Sequence, residues 1–210
     1  MRGRKFDAVL FDLLTGLINS WTLWNEVAGS ETDGRKWRVA YLDLTYRTGA
    51  YRAHETLVAE AASESGLSPS LAAELAARYR ELQPWPEARE VLGALRAGGL
   101  ALGVVTNCSE ELGATAAACT GIAFDTVVTA ERAGYYKPDP RPYRMALDEL
   151  GVAPGRCLFV AGSAYDLFGT ERVGLAAYWH NRLGLAAPPG APEPIAQHRS
   201  LRPLLSLARE

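Results

Sequence analysis

Only three of the 210 residues are cysteine, and Cys108, Cys119 and Cys157 show no Cys-x-x-Cys spacing. An odd number without ligand spacing argues against a disulfide framework or a thiolate metal site, and for free thiols in a reducing compartment. Histidine is as scarce: His54, His180 and His198 lie far apart, with no spacing that suits zinc. An excess of one charge is also missing, since 22 basic and 24 acidic residues are interspersed to a net charge of −2. That leaves no footprint for nucleic acid or an anionic membrane. Hydrophobic residues make up 48% of the chain, yet no run approaches the roughly 20 residues of a bilayer span. The opening Met1-Arg2-Gly3-Arg4-Lys5 is basic, but Asp7 and Asp12 interrupt the apolar stretch behind it, so no signal-peptide core forms. There is no internal repeat, no Gly-x-Ser-x-Gly elbow and no dinucleotide fingerprint. A cytoplasmic enzyme with a small diffusible substrate is the expectation.

What is present is a repeated alternation. The apolar run Ala8-Val9-Leu10-Phe11 reads as a first strand. From Pro86 a helix runs to Arg96 and stops at Gly98-Gly99; a strand follows over Leu100 to Val105. Ser109 is placed to cap a helix through Ala118, Phe124 to Val128 is strand-like, Pro138 to Leu150 is helical, and Cys157 to Val160 is a short buried strand. Strands alternating with helices predict an α/β fold, a Rossmann-like parallel sheet flanked by helices.

Leu17 to Gln83 breaks this rhythm. It has no strong strand and is rich in Ala, Leu, Glu and Arg, with helices expected over 35–51, 52–65 and 71–82, the last opened by Ser68-Pro69. We therefore expect a helical cap subdomain at 17–83, inserted after the first strand into a core made of 1–16 and 84–210. Pro84-Trp85-Pro86 would be the return hinge. Residues 186–194, rich in Pro, Ala and Gly, should wrap the surface before a last helix near 201–208.

Chemistry-bearing residues stand where strands end. Asp12 follows the first strand, Thr106-Asn107 follow the second, and Lys137 lies in Tyr136-Lys137-Pro138-Asp139-Pro140. Ser163 and Asp166 follow Cys157-Leu158-Phe159-Val160. Open α/β sheets gather their sites at the carboxyl ends of parallel strands, so these groups should converge. A carboxylate there can serve as a covalent nucleophile, and a lysine beside it would keep it ionised.

The constellation resembles the haloacid dehalogenase superfamily. Most members are phosphatases with a second aspartate two residues after the nucleophile and another acid in the last motif; here Leu14 and Gly162 occupy those places. Magnesium wants several hard oxygen ligands, so no metal is expected. Lys137 to Tyr143, Phe159 to Asp166, and Gly174 through Trp179-His180-Asn181-Arg182 are similar to the L-2-haloacid dehalogenase branch, which uses the same aspartate on carbon. Trp37-Arg38 followed by Tyr41-Leu42-Asp43-Leu44-Thr45 resembles its substrate-contacting cap helix.

The resemblance implies conversion of short 2-haloalkanoates to 2-hydroxyalkanoates plus halide, without a cofactor, through an ester on Asp12. Lys137 would hold the nucleophile, and Asp166, assisted by Ser163, would activate water. Arg38, Thr106, Asn107, Tyr143 and Tyr165 would bind substrate or halide. The partner would be a small halogenated carboxylate, and the assembly a homodimer. Gly16, Ala161 and Ser163 depart from the branch, which has Thr, Ser and Asn there; Thr15 sits one place early. The alternatives are a phosphatase of the same superfamily and a non-catalytic ligand-binding protein on the same scaffold.

Overall fold

The computed structural model describes residues 5–208; Met1 to Arg4, the start of the basic opening segment, lie outside them, as do 209–210. Strand β1 (Ala8–Phe11) is buried at every residue. That burial explains why it reads as a continuous apolar run: strands of a parallel sheet are covered on both faces. Around it lie β2 (Ala101–Thr106), β3 (Thr126–Thr129), β4 (Cys157–Ala161), β5 (Ala176–His180) and β6 (Ala196–His198), all parallel, in the order β3-β2-β1-β4-β5-β6. Among the described residues the connections carry α5 (Ala88–Ala97), α6 (Glu110–Cys119), α7 (Ala130–Ala133), α8 (Pro140–Leu150) and α9 (Tyr165–Val173), and α10 (Leu204–Leu207) follows the last strand.

The strand order changes direction at β1, and such a switch point opens a crevice at the carboxyl edge. Phe11 is level with Val104 on β2 and Val160 on β4. The residues that follow all three strands therefore emerge together, with Asp12 in the middle.

Between β1 and α5 the chain forms α1 (Ser20–Ala28), α2 (Glu31–Thr48), α3 (His54–Glu64) and α4 (Leu71–Ala77), then a 3-10 turn at Tyr79–Glu81. The sequence pattern does not single out α1, and it starts α2 a turn late. The true start is a capped one, with Ser30 Oγ accepting the Asp33 N–H at 3.0 Å. Trp24 of α1 packs on Trp37 of α2 with ring centroids 4.6 Å apart. Both belong to a buried apolar cluster that continues through Leu17 and Leu13 to Phe11 of the sheet. Leu10, Val105, Phe159 and Tyr143 build the core of the opposite face.

Two bridges tie the helical segment down. Ile18 pairs antiparallel with Pro84, at the expected hinge, and Ala50 pairs with Tyr135. The second is reinforced by Tyr136 N–H to Gly49 O at 2.7 Å and Tyr51 N–H to Gly134 O at 2.8 Å. It fastens the end of α2 to the loop that presents Lys137.

Some local expectations change. Ser109 occupies the N-cap position of α6, but its hydroxyl makes no capping bond and instead donates to Glu55 on α3 at 2.8 Å. Ser70, not Ser68, precedes α4, and its side chain makes no capping bond. The edge strand β6 was not expected. Cys108, Cys119 and Cys157 are free thiols. No helix among the described residues is long and apolar enough to cross a membrane.

Candidate active site

Asp12, the first residue past β1, is 7% exposed, and its two oxygens have different surroundings. Oδ2 accepts the Thr15 hydroxyl at 2.6 Å, the Gly16 N–H at 2.9 Å and the Thr15 N–H at 3.0 Å. The N–H three residues on is one an N-cap side chain would take, and the Gly16 N–H four residues on adds a second, so Asp12 organises its own turn. Oδ1 accepts Lys137 Nζ at 2.8 Å. The same ammonium pairs with Asp166 Oδ1 at 2.9 Å, and that oxygen also accepts the Tyr143 hydroxyl at 3.0 Å. Asp166 sits in the first turn of α9, where the helix dipole favours an anion.

Burial opposes every charge here, and the outcome differs by residue. For Asp12 burial pushes the carboxyl up, but the Lys137 charge and the hydrogen bonds from Lys137, Thr15 and Gly16 overcome it and hold Asp12 below the usual carboxylate range. Asp166 has fewer donors and faces the Asp12 charge; burial first, and Asp12 as well, push it up to about 6. For Lys137 burial pulls down, and the two carboxylates outweigh it, so the ammonium is held above its ordinary value. Two carboxylates pushed apart in this way are suited to different roles, one permanently ionised and one that exchanges a proton.

Arg38 of α2 faces this group from the helical segment. It is 2% exposed, and its Nε and Nη1 have no hydrogen-bond partner. Its guanidinium lies 4.9 Å from the Trp24 ring centroid, 5.5 Å from Trp21 and 5.8 Å from Tyr41. Cation–π contact compensates part of the lost hydration, but unpaired buried donors still call for an anion. Thr106 Oγ1 is likewise buried without a partner.

Asp12, Arg38, Thr106, Asn107, Lys137, Ser163, Tyr165 and Asp166 all line one cavity of about 40 Å³. Tyr143 does not; it stands behind Asp166. Asn107 reaches the cavity, but its amide grips the Lys137 backbone, with Nδ2 donating to Lys137 O at 3.1 Å and Oδ1 accepting Lys137 N–H at 2.7 Å. Ser163 Oγ accepts the Tyr165 N–H at 3.3 Å. Tyr165 packs against Tyr46 of α2, ring centroids 4.7 Å apart, closing the cavity between core and helical segment. Tyr41, Leu42 and Thr45 of the cap-helix motif also line the cavity, as do Leu14 and Tyr46, which the sequence did not mark as site residues. Thr15, one place before the position where the branch has Thr, does supply a hydroxyl to Asp12.

A divalent cation does not fit this donor set. The Lys137 ammonium already stands between the carboxylates, and the Leu14 side chain offers no oxygen. A Cβ at Gly162 would overlap Thr15 Oγ1 and the Gly16 backbone nitrogen, so an acid there has no room. Among the described residues no group of three His, Cys, Asp or Glu could hold a metal. Gly16 is equally closed, because a Cβ there would overlap Asp12 O. With position 16 closed to a side chain, the hydroxyl on Asp12 comes from Thr15, one place earlier.

A parallel α/β sheet, a lysine-paired aspartate at its switch point and a helical segment lining the same cavity define the architecture of a hydrolase of the α/β class. Residues 6–174 match the model of the haloacid dehalogenase-like hydrolases, and the chain belongs to that family. It is 35% identical over 112 residues to (S)-2-haloacid dehalogenase 4A of Burkholderia cepacia, an alignment covering 52% of this chain and 48% of that protein. The chain thus spans about half the length of this relative. It is 28% identical over 197 residues to (S)-2-haloacid dehalogenase H-109 of Pseudomonas putida, covering 86% of this chain and 88% of that one. A solved structure of a dehalogenase with an intermediate complex superposes with a TM-score of 0.85 at 27% identity, over 99% of both chains.

Proposed function

We propose that this protein is a 2-haloacid dehalogenase that converts short 2-haloalkanoates to 2-hydroxyalkanoates and halide through an ester on Asp12. The observation that carries the reading is Arg38: a buried guanidinium with unpaired nitrogens shares a cavity with the Asp12 carboxylate, which is held ionised and whose Oδ1 is free of backbone donors. A substrate carboxylate answers that guanidinium by a charge-assisted pair. The dehalogenase relatives support the same assignment.

Asp12 Oδ1 uses a lone pair to attack C2, and the carbon–halogen bond breaks with its electrons leaving on the halide, inverting that carbon. Oδ2 becomes the ester carbonyl oxygen and already sits among three donors. Water then adds to Asp12 Cγ and gives its proton to Asp166, a general base in contact with the same lysine. Negative charge collects on Oδ2, where Thr15 and Gly16 stabilise it as an oxyanion hole does. Collapse of the adduct releases Oδ1 as the product hydroxyl, protonated by Asp166, and the remaining water proton leaves the Asp12 carboxyl for solvent, restoring the carboxylate. Asn107 keeps Lys137 in place, and Thr106 donates to the bound anion. A cavity of about 40 Å³ holds only a few water molecules, which suits acids of two or three carbons.

In this reading residues 17–83 are a cap and 1–16 with 84–210 the catalytic core. A cytoplasmic location and a homodimer belong to it too, the latter checked by light scattering. Its test is halide release from chloroacetate, fluoroacetate and both enantiomers of 2-chloropropionate, first with chelator and then with magnesium. Metal-independent release that Asp12→Asn abolishes while staying folded is expected. Silence on every substrate would reject the reading in favour of a binding protein, and magnesium-dependent phosphate release from esters would favour a phosphatase.

A further inference from the structure

The turn that presents Asp12 has a second side. Its N–H groups face the carboxylate, and its carbonyls point away, to two buried aromatic donors that the mechanism above does not use. Trp85 Nε1 donates to Thr15 O at 3.0 Å. His180 Nδ1 lies 2.8 Å from Gly16 O. A carbonyl can only accept, so Nδ1 carries the hydrogen. His180 is fully buried, and burial disfavours its charged form, although Gly16 O and Glu87 pull the other way. The ring is therefore the neutral tautomer with its hydrogen committed to Gly16.

Covalent connectivity gives these contacts meaning. Thr15 C=O and Gly16 N–H are the two ends of one peptide unit. Trp85 N–H, that peptide and Asp12 Oδ2 thus form a continuous chain of hydrogen bonds, which polarises each member. Gly16 C=O belongs to the next peptide, whose N–H at Leu17 donates to Leu13 O at 3.2 Å and closes the turn. The two rings meet edge to face, centroids 6.1 Å apart at 83°. Arg182 lies 5.0 Å over the Trp85 ring and pairs with Glu87 at 2.8 Å, which braces the pair from the end of β5. Neither ring lines the Asp12 cavity. Both line a separate hollow of about 10 Å³ behind Thr15 and Gly162.

We propose that Trp85 and His180 are positioning residues: an N–H clamp on the outer carbonyls of the aspartate turn that keeps the donors on Asp12 Oδ2 aimed and polarised. The inference rests on the dehalogenase reading for its kinetic consequence. Its effect should be largest in ester breakdown, because there Oδ2 gains charge and the aimed donors matter most.

The experiment compares Trp85→Phe, His180→Leu, the double variant and His180→Asn with the parent protein. An asparagine amide nitrogen falls near the position of Nδ1, so His180→Asn restores a donor. Intact-mass spectrometry follows ester decay after a pulse of chloroacetate, and 13C NMR of aspartate-labelled protein follows the titration of Asp12. Trp85→Phe and His180→Leu should each slow ester decay by about tenfold, less than the hundredfold or more expected for losing a direct oxyanion donor. Apparent KM should fall together with kcat, since ester breakdown becomes limiting, the Asp12 midpoint should rise, and His180→Asn should recover most of the loss. Lower thermal stability with unchanged ester decay and unchanged Asp12 titration would overturn the clamp. If the parent forms no ester, the dehalogenase reading fails and the titration decides alone: a raised midpoint in Trp85→Phe and His180→Leu upholds the clamp, and an unmoved one removes it.

Discussion

Thr15→Val replaces the hydroxyl nearest Asp12 with a methyl of the same shape, and the two steps of the reaction should feel the change in opposite proportion. In the resting protein Oδ2 shares a full negative charge and takes donors at 2.6, 2.9 and 3.0 Å. Ester formation removes most of that charge, so the hydroxyl stabilises the starting carboxylate more than the first transition state. Ester hydrolysis restores charge to Oδ2, and the same hydroxyl then favours the transition state. Only such differential stabilisation changes a rate. Losing one direct donor to a developing oxyanion costs about 2.7–4 kcal/mol, roughly a hundred- to thousandfold in rate. Thr15→Val should therefore release one equivalent of halide at near the parental rate, then stall as an Asp12 ester, with an apparent fall in KM. Rapid quench with intact-mass analysis reads both steps, and Thr15→Ser should restore hydrolysis. Two N–H donors remain on Oδ2, so the turn should hold. A slowed halide burst with no accumulated ester would show that Thr15 acts on the first step or only on packing.

Asp166, up at about 6 in the free protein through burial and Asp12, ionises more easily once the ester has removed the Asp12 charge. The active form is the ionised one, so kcat for a hydrolysis-limited substrate should keep its plateau down to about pH 6 and decline below it. Tyr143→Phe removes a hydrogen bond that favours ionised Asp166, and its limb should move to higher pH; a limb that stays put would remove Tyr143 from the assignment. Arg38→Met should raise KM by about a hundredfold or more while leaving thermal stability equal or higher, since it deletes an unpaired buried charge; a sharp loss of stability in denaturation would mean that the guanidinium is held by the fold and not reserved for substrate. Gly162→Asp should destabilise by about 1–3 kcal/mol through overpacking against Thr15 and confer no magnesium-dependent phosphatase activity; assays on generic phosphate esters check this.

The strands were legible because burial on both sheet faces demands continuous apolar runs, and Ala8–Phe11 and Cys157–Ala161 are such runs. The convergence of Asp12 and Asp166 was legible from their positions just past strands, whereas Lys137, in the loop after α7, was legible only from its Tyr136-Lys137-Pro138-Asp139-Pro140 motif. Helix α1 was obscured because only Asn19-Ser20 separate its buried Trp21, Leu23 and Trp24 from the apolar Leu17-Ile18, and Asn19, at the cap position, makes no capping bond. The edge strand β6 is three residues long and half exposed, too little for a periodic pattern. Asn107 carries donors suited to a ligand, and nothing in its neighbours says that a backbone 30 residues away takes them. Trp85 and His180 were invisible for the same reason: their partners are main-chain carbonyls 70 and 164 residues distant.

Asp12 as covalent nucleophile is tested most directly by a single turnover of chloroacetate with protein in excess in 18O-enriched water, followed by mass analysis of the peptide containing Asp12. An ester opened at Cγ places the heavy oxygen in the aspartate and leaves the glycolate hydroxyl unlabelled. Label in the product and none in Asp12 would mean that water attacks the substrate carbon directly, and the ester mechanism would be wrong.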